Sequence, residues 1–313
     1  MRLPRLTPSI FRRLAVVVAL LLGLVVVSGA AVRLTSSGLG CPTWPRCTAH
    51  SYVAPPSYHA WIEFGNRIVT TVVGIVVGLA AIGSLLRSPR RRDLVWLSWS
   101  LIAGFVGQAV IGGLSVLYKL SPGWVMAHFL LSMLLMWAGL VLVHRAHPDW
   151  RPRSPDAPHE LLLLGRVLVV VAGVVLFLGT VTTGAGPHAG DKAHVKRLPF
   201  ALERVTQLHA DSALLLTGLI VATLFAVRLA GADATVRRRS NWLAYTVVAQ
   251  VAIGYTQYFL NLPPGVVELH VAGATLLWSA TLWLQLGHSA PQPRPRAVTE
   301  PALVRQTEAT ASS

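Results

Sequence analysis

Apolar residues run along this chain in eight long blocks separated by short polar segments. The blocks lie near Leu14 to Val32, Ile62 to Leu86, Val95 to Leu117, Trp124 to Val143, Leu161 to Thr182, Val205 to Leu229, Trp242 to Leu260 and Val266 to Leu286. Each is long enough to cross about 30 Å of hydrocarbon as a helix, which takes roughly 20 residues. The pattern predicts an all-α integral membrane protein with eight transmembrane helices.

Composition agrees: 53% of the 313 residues are hydrophobic, 12% are charged and the mean hydropathy is +0.58. A net charge of +15 raises nucleic acid as a partner, but the distribution of that charge argues against it. Of 27 Lys and Arg, 19 fall on one side if both termini share it: Arg2, Arg5, Arg12, Arg13, Arg87, Arg90 to Arg92, Arg145, Arg151, Arg153, Arg166, Arg228, Arg237 to Arg239 and the tail. That is the positive-inside pattern, so the expected location is the plasma membrane, surrounded by lipid, with both termini cytoplasmic. The first block, with its basic start and "SGAA" end, also reads as a cleavable signal peptide. The repeat described next argues for its retention, because the equivalent fifth block is internal.

At an offset of 142 residues the chain matches itself: Gln108 with Gln250, Ile111 with Ile253, Gly112 with Gly254, Leu120 with Leu262, Pro122 with Pro264, Gly123 with Gly265 and His128 with His270. Earlier blocks agree less tightly, "TSSGLGCP" (35–42) facing "VTTGAGP" (181–187). Each half holds four blocks, so both begin on the same side and the repeat is parallel. The expected organisation is a cytoplasmic N-terminus (1–13), an N-terminal four-helix bundle (14–146), a cytoplasmic linker (147–160), a C-terminal four-helix bundle (161–288) and a disordered, Pro- and Arg-rich cytoplasmic tail (289–313).

Of eleven histidines, His128, His209 and His270 sit well inside predicted spans, each near the start of an even-numbered block and so at one depth. Two imidazoles facing one another across a bundle are the usual protein contribution to a six-coordinate haem. A lone intramembrane histidine is more often a packing residue, but the pair His209 and His270, echoed by His128, points to ligation. The spacing between His209 and His270, laid back from His128, falls at Arg67, one residue beyond Asn66. The place expected to hold a fourth histidine therefore holds an asparagine, within "WIEFGNR" (61–67), with Glu63 one turn before it and Arg67 beside it. Ionisable groups in a span are costly and mark candidate functional sites; the plainer reading of Glu63 and Arg67 is a structural ion pair near the interface. The C-terminal half thus predicts a closed site and the N-terminal half an open one, as for a resident cofactor beside a reacting one.

The two cysteines, Cys41 and Cys47 in "GCPTWPRC", share the first outward loop, where close spacing in an oxidising compartment favours pairing over two unrelated thiols. Trp44, Trp124 and Trp137 read as interfacial or packing aromatics. His188 reads either as a propionate contact or as a loop-ordering residue.

These residues resemble the haem A synthase family across 10–288, through "GCPTWPRC", "EFGNR", "GPHAGD" (186–191) and the histidines opening the fourth, sixth and eighth spans, in that order and within a repeat. The resemblance implies conversion of haem O to haem A: the ring D methyl group becomes a formyl group through successive hydroxylations and loss of water. It implies haem b held by His209 and His270, a substrate haem ligated by His128, Glu63 as the catalytically important carboxylate, and a first-loop disulfide that aids haem handling or electron delivery. It also implies a haem O synthase as substrate donor and an electron donor of unidentified nature, and is compatible with a homo-oligomer. The chain departs from the family in two places. Many members carry histidine where this chain has Asn66, and many carry a second cysteine pair in the C-terminal half, absent from "TGAGPHAGD".

Two other functions compete. A b-type membrane cytochrome for electron transfer favours bis-histidine ligation in both halves, against which Asn66 argues. A haem transporter favours spans broken at midplane, whereas the Gly and Pro punctuation sits at the outer ends.

Overall fold

The computed structural model describes residues 5–150 and 158–287. Residues 151–157 of the expected linker and the tail from Ser289 lie outside the described residues, as does Arg2. The described residues form eight helices: α1 (Pro8–Leu34), α2 (Tyr58–Leu86), α3 (Arg92–Leu117), α4 (Pro122–Arg145), α5 (His159–Ala185), α6 (Leu202–Leu229), α7 (Ala234–Phe259) and α8 (Pro264–Gly287). Several start before the apolar block does, because polar residues outside the block cap them. Thr7 accepts the Ile10 N–H at the head of α1, Ser57 accepts Ala60 N–H at α2, and Asp233 accepts the Thr235 and Val236 N–H groups at α7.

Seven of the eight helices are long and apolar enough to cross a membrane. The exception is α7, whose length matches the others but whose first turns carry Arg237, Arg238 and Arg239 and whose body carries Gln250, Gln257 and three tyrosines. The chain is a multi-pass membrane protein. Its outward faces carry large apolar side chains, including Leu20, Trp96, Leu214, Val248 and Leu276, all more than 60% exposed, as expected where lipid replaces water.

α1 packs on α2 and α4, α2 on α3, and α3 on α4; likewise α5 packs on α6 and α8, α6 on α7, and α7 on α8. Contacts across the halves pair α1 with α8, α4 with α5, and α4 with α8. Exchanging the halves maps this set onto itself, so a pseudo-twofold axis passes between α4 and α8. There the buried Trp278 indole donates to the Met133 carbonyl at 3.0 Å. The tight turns obey the same offset. Lys119 and Leu120 before α4, and Asn261 and Leu262 before α8, all adopt positive φ between 54° and 60°. In both turns the second of these N–H groups returns to a carbonyl five residues back, Leu120 to Ser115 and Leu262 to Gln257, before a proline opens the next helix.

Candidate functional site

The even-numbered helices all start at the same end of the molecule, the end bearing segments 35–57 and 186–201. Glu63, Asn66, His128, His209 and His270 lie five to eight residues into those helices, so all fall within about 12 Å of that end at 1.5 Å per residue.

In the C-terminal half, His209 of α6 and His270 of α8 face one another with ring centroids 6.4 Å apart and planes at 74°. An imidazole nitrogen binds a transition metal at about 2 Å and lies about 1 Å from its ring centre, so two imidazoles on opposite sides of one metal have centres about 6 Å apart. Both rings lie against glycine: a Cβ on Gly179 would come 3.1 Å from His209 Cε1, and one on Gly254 would come 3.4 Å from His270 Cε1. His209 Nδ1 is buried without a hydrogen-bond partner. Two imidazoles under-fill a metal site built by protein alone but are the number a macrocycle with four equatorial nitrogens leaves open, so these residues fit a haem.

The N-terminal half repeats part of this arrangement. His128 of α4 lies against Gly112 of α3, whose Cβ would be 3.0 Å from the ring, and His128 Nδ1 is buried and unpartnered. Asn66 stands eight residues after the start of α2, as His209 stands seven after the start of α6. Its Oδ1 accepts a hydrogen bond from Ser28 Oγ of α1 at 2.7 Å. Ser28 and Gly179 each stand six residues before the end of their helices, so serine–asparagine replaces glycine–histidine at equivalent crossings. The Asn66 amide oxygen is thus committed to α1.

Glu63 and Arg67 are brought together with the cysteine loop. Cys41 and Cys47 form a disulfide with Cα atoms 4.3 Å apart. Glu63, 6% exposed, accepts the Cys41 N–H on Oε2 at 2.7 Å and Arg67 on Oε1 at 2.6 Å. The Arg67 guanidinium also donates to the carbonyls of Cys41, Thr43, Pro45 and Arg46 at 3.1 to 3.4 Å. A planar fork of donors suits this fan of carbonyls, and an ammonium would not span it. Trp44, at the tip of this loop, packs on Gly113, where a Cβ would lie 2.6 Å from the indole. The imidazole of His128 and the indole of Trp44 therefore rest on adjacent glycines of α3. The position equivalent to Gly113 is Tyr255, 63% exposed, so the C-terminal half lacks this cover.

The second loop is fastened differently. His188 Nε2 pairs with the Leu262 carbonyl at 2.9 Å, and its own carbonyl accepts from Arg33 Nε at 2.6 Å, which makes it an ordering residue of that loop. Arg33 also donates to the Thr183 carbonyl, and the Gly38 N–H donates to the Gly190 carbonyl, tying the loops of the two halves together. Burial opposes ionisation of Asp191, yet the N–H groups of His194 and Ala193 and the His194 ring outweigh it and hold the carboxyl below its usual range. Trp124 stacks on Tyr118, and Trp137 meets Trp278 edge to face.

Gln108 and Gln250 also reach the site, each donating to the carbonyl of a histidine. Each stands four residues before a histidine-bearing glycine, hence on the same helical face, and that spacing was the available signal.

A family model described as cytochrome oxidase assembly protein matches residues 12–57 and 53–282. Curated relatives named heme A synthase include those of Geobacillus kaustophilus, 34% identical over 36% of this chain and 35% of the relative, and Geobacillus thermodenitrificans, 34% identical over 42% and 41%. That of Shouchella clausii is 32% identical over 47% of this chain and 49% of the relative. The chain thus aligns with less than half the length of each.

Proposed function

The chain belongs to the cytochrome oxidase assembly protein family, and from that premise we propose that it is a haem A synthase, an oxidoreductase that converts the ring D methyl group of haem O to a formyl group. The observation that carries this reading is the asymmetry of equivalent places in the two halves. His209 and His270 stand at bis-imidazole spacing, whereas the matching place opposite His128 holds Asn66, turned to Ser28. A permanent electron carrier favours both axial positions filled, while a substrate haem must arrive, react and leave.

In this reading His209 and His270 would hold a resident haem b, which when bound would supply one-electron transfer. His128 binds the iron of haem O, and Asn66, with its oxygen held by Ser28, leaves the opposite face open. Trp44 covers the outer edge of that site, on a loop pinned by Arg67 and the disulfide. Glu63 is the acid–base group. As a carboxylate it accepts from two donors, the Cys41 N–H and Arg67; taking a proton removes the charge that strengthens both bonds, so proton uptake is tied to the loop. The arginine-rich end faces the cytoplasm and the disulfide loop faces outward across the plasma membrane. A haem O synthase supplies the substrate, and a separate electron donor serves the resident haem.

Extraction and identification of haems from the purified protein tests this. Haem b together with haem O or haem A is expected. Haem b alone, from cells that make haem O, would instead favour the b-type cytochrome.

A further inference from the structure

The two halves bring the same glutamine to the same histidine and then use it differently. Gln250 Nε2 donates to the His270 carbonyl at 2.9 Å, and Gln108 Nε2 donates to the His128 carbonyl at 3.1 Å. Beyond that shared bond they diverge. Gln250 Nε2 also lies 3.2 Å from His270 Nδ1, while Gln108 Nε2 bonds to Ser132 Oγ and leaves His128 Nδ1 buried without a partner.

Two neighbouring positions account for the difference. At the 142-residue offset Ser132 corresponds to Ala274, and Leu131 to Gly273. A Cβ on Gly273 would run into Gln250 Oε1, so glycine provides the seat in which the carboxamide lies. Alanine beside it offers no competing hydroxyl. In the N-terminal half leucine fills the seat and serine supplies the competitor.

We propose that Gln250 is a positioning residue for His270, and that this difference in the glutamine's partner makes one haem resident and the other exchangeable. The inference rests on the haem reading above. A ligating imidazole is oriented by the bond its second nitrogen makes, and losing that partner typically weakens metal binding about 10- to 100-fold. An imidazole bound to iron through its other nitrogen carries its proton on Nδ1 and needs an acceptor there; turning the Gln250 carboxamide over brings its oxygen, buried and unpartnered, to Nδ1–H in place of the nitrogen. At His128 the corresponding amide is taken by Ser132 Oγ, so this side-chain restraint is missing and the ring holds an iron less firmly and releases it sooner.

The test uses the full-length protein with its bound haem, following transfer of haem b to excess apomyoglobin and the haem b midpoint potential. Gln250→Leu should lose haem b about 10- to 100-fold faster. Ala274→Ser, which adds only a hydroxyl, should change the rate in the same direction by diverting the amide. Gln250→Glu should retain haem b but lower its potential, since a carboxylate on Nδ1–H makes the imidazole a stronger donor; a merely structural role would leave the potential in place. Ser132→Ala should hold added haem O longer without altering haem b loss. Wild-type rates of haem b loss in both Gln250→Leu and Ala274→Ser would overturn this inference alone, whereas a wild-type protein purified without any haem b would overturn the haem reading with it.

Discussion

Removing the Arg67 guanidinium should free the disulfide loop without disturbing the other half of the molecule. Arg67 bonds to Glu63 and to four backbone carbonyls of residues 41–46, and its side chain keeps 23% of its exposure while that of Glu63 keeps 7%. Arg67→Ala therefore leaves a nearly buried carboxylate with one donor, the Cys41 N–H, and four carbonyls without theirs. Breaking a buried pair from one side costs about 3–5 kcal/mol, and the partial exposure of Arg67 puts this case near the lower end, about 3 kcal/mol. The disulfide limits how far the loop can go, so the cost should appear as easier local opening. At about 1.4 kcal/mol per factor of ten, the Cys41 amide should exchange with solvent about 100-fold faster. Hydrogen exchange read by mass spectrometry on peptides covering 38–54, in nanodiscs, measures it, with 202–229 as the internal control. Arg67→Lys should recover only part of the protection, because one ammonium cannot reach all four carbonyls. Exchange within threefold of wild type in Arg67→Ala would show that the disulfide alone holds the loop, and that the bonds to Arg67 add nothing.

Three further outcomes are expected. His209→Ala and His270→Ala should each abolish a low-spin bis-imidazole haem signal that His128→Ala preserves, as read by optical and electron paramagnetic resonance spectra; the same signal in all three variants would remove the ligand assignment. Glu63→Gln should keep haem b yet slow haem A formation at least tenfold and accumulate hydroxylated haem, since the amide cannot take up a proton; wild-type turnover would reduce Glu63 to a loop anchor. Gly113→Val should push Trp44 off α3 and weaken haem O binding in a spectral titration without changing haem b content, and unchanged affinity would mean that Trp44 does not cover the site.

Much of the architecture was legible because membrane solvation leaves few options: a chain that must satisfy its own backbone in lipid forms helices of a set length, and these appear as apolar blocks. Helix ends were less legible, since Thr7, Ser57 and Asp233 cap from outside the blocks. α7 reads as a span by length but carries more polar residues than its neighbours, so it alone among the described helices falls below the hydropathy of a membrane crossing. The depth of His128, His209 and His270 followed from their place near helix starts, because rise per residue is constant.

Rotation about each helix and the choice of neighbour were another matter. Nothing in "EFGNR" says that both Glu63 oxygens are taken up by the Cys41 N–H and Arg67, or that Asn66 turns to Ser28, because those partners come from elsewhere in the chain and meet only when α1, α2 and the loop pack. Gln108 and Gln250 stand at the same place in the repeat and both donate to a histidine carbonyl, yet their second partners differ. By itself the sequence determined the number of helices, their repeat and the level at which the histidines lie, since these depend on local periodicity and solvent. Only the tertiary structure decided which side chains meet at that level, because contact depends on the shape of facing helices, down to a glycine at 273 where the other half has a leucine at 131.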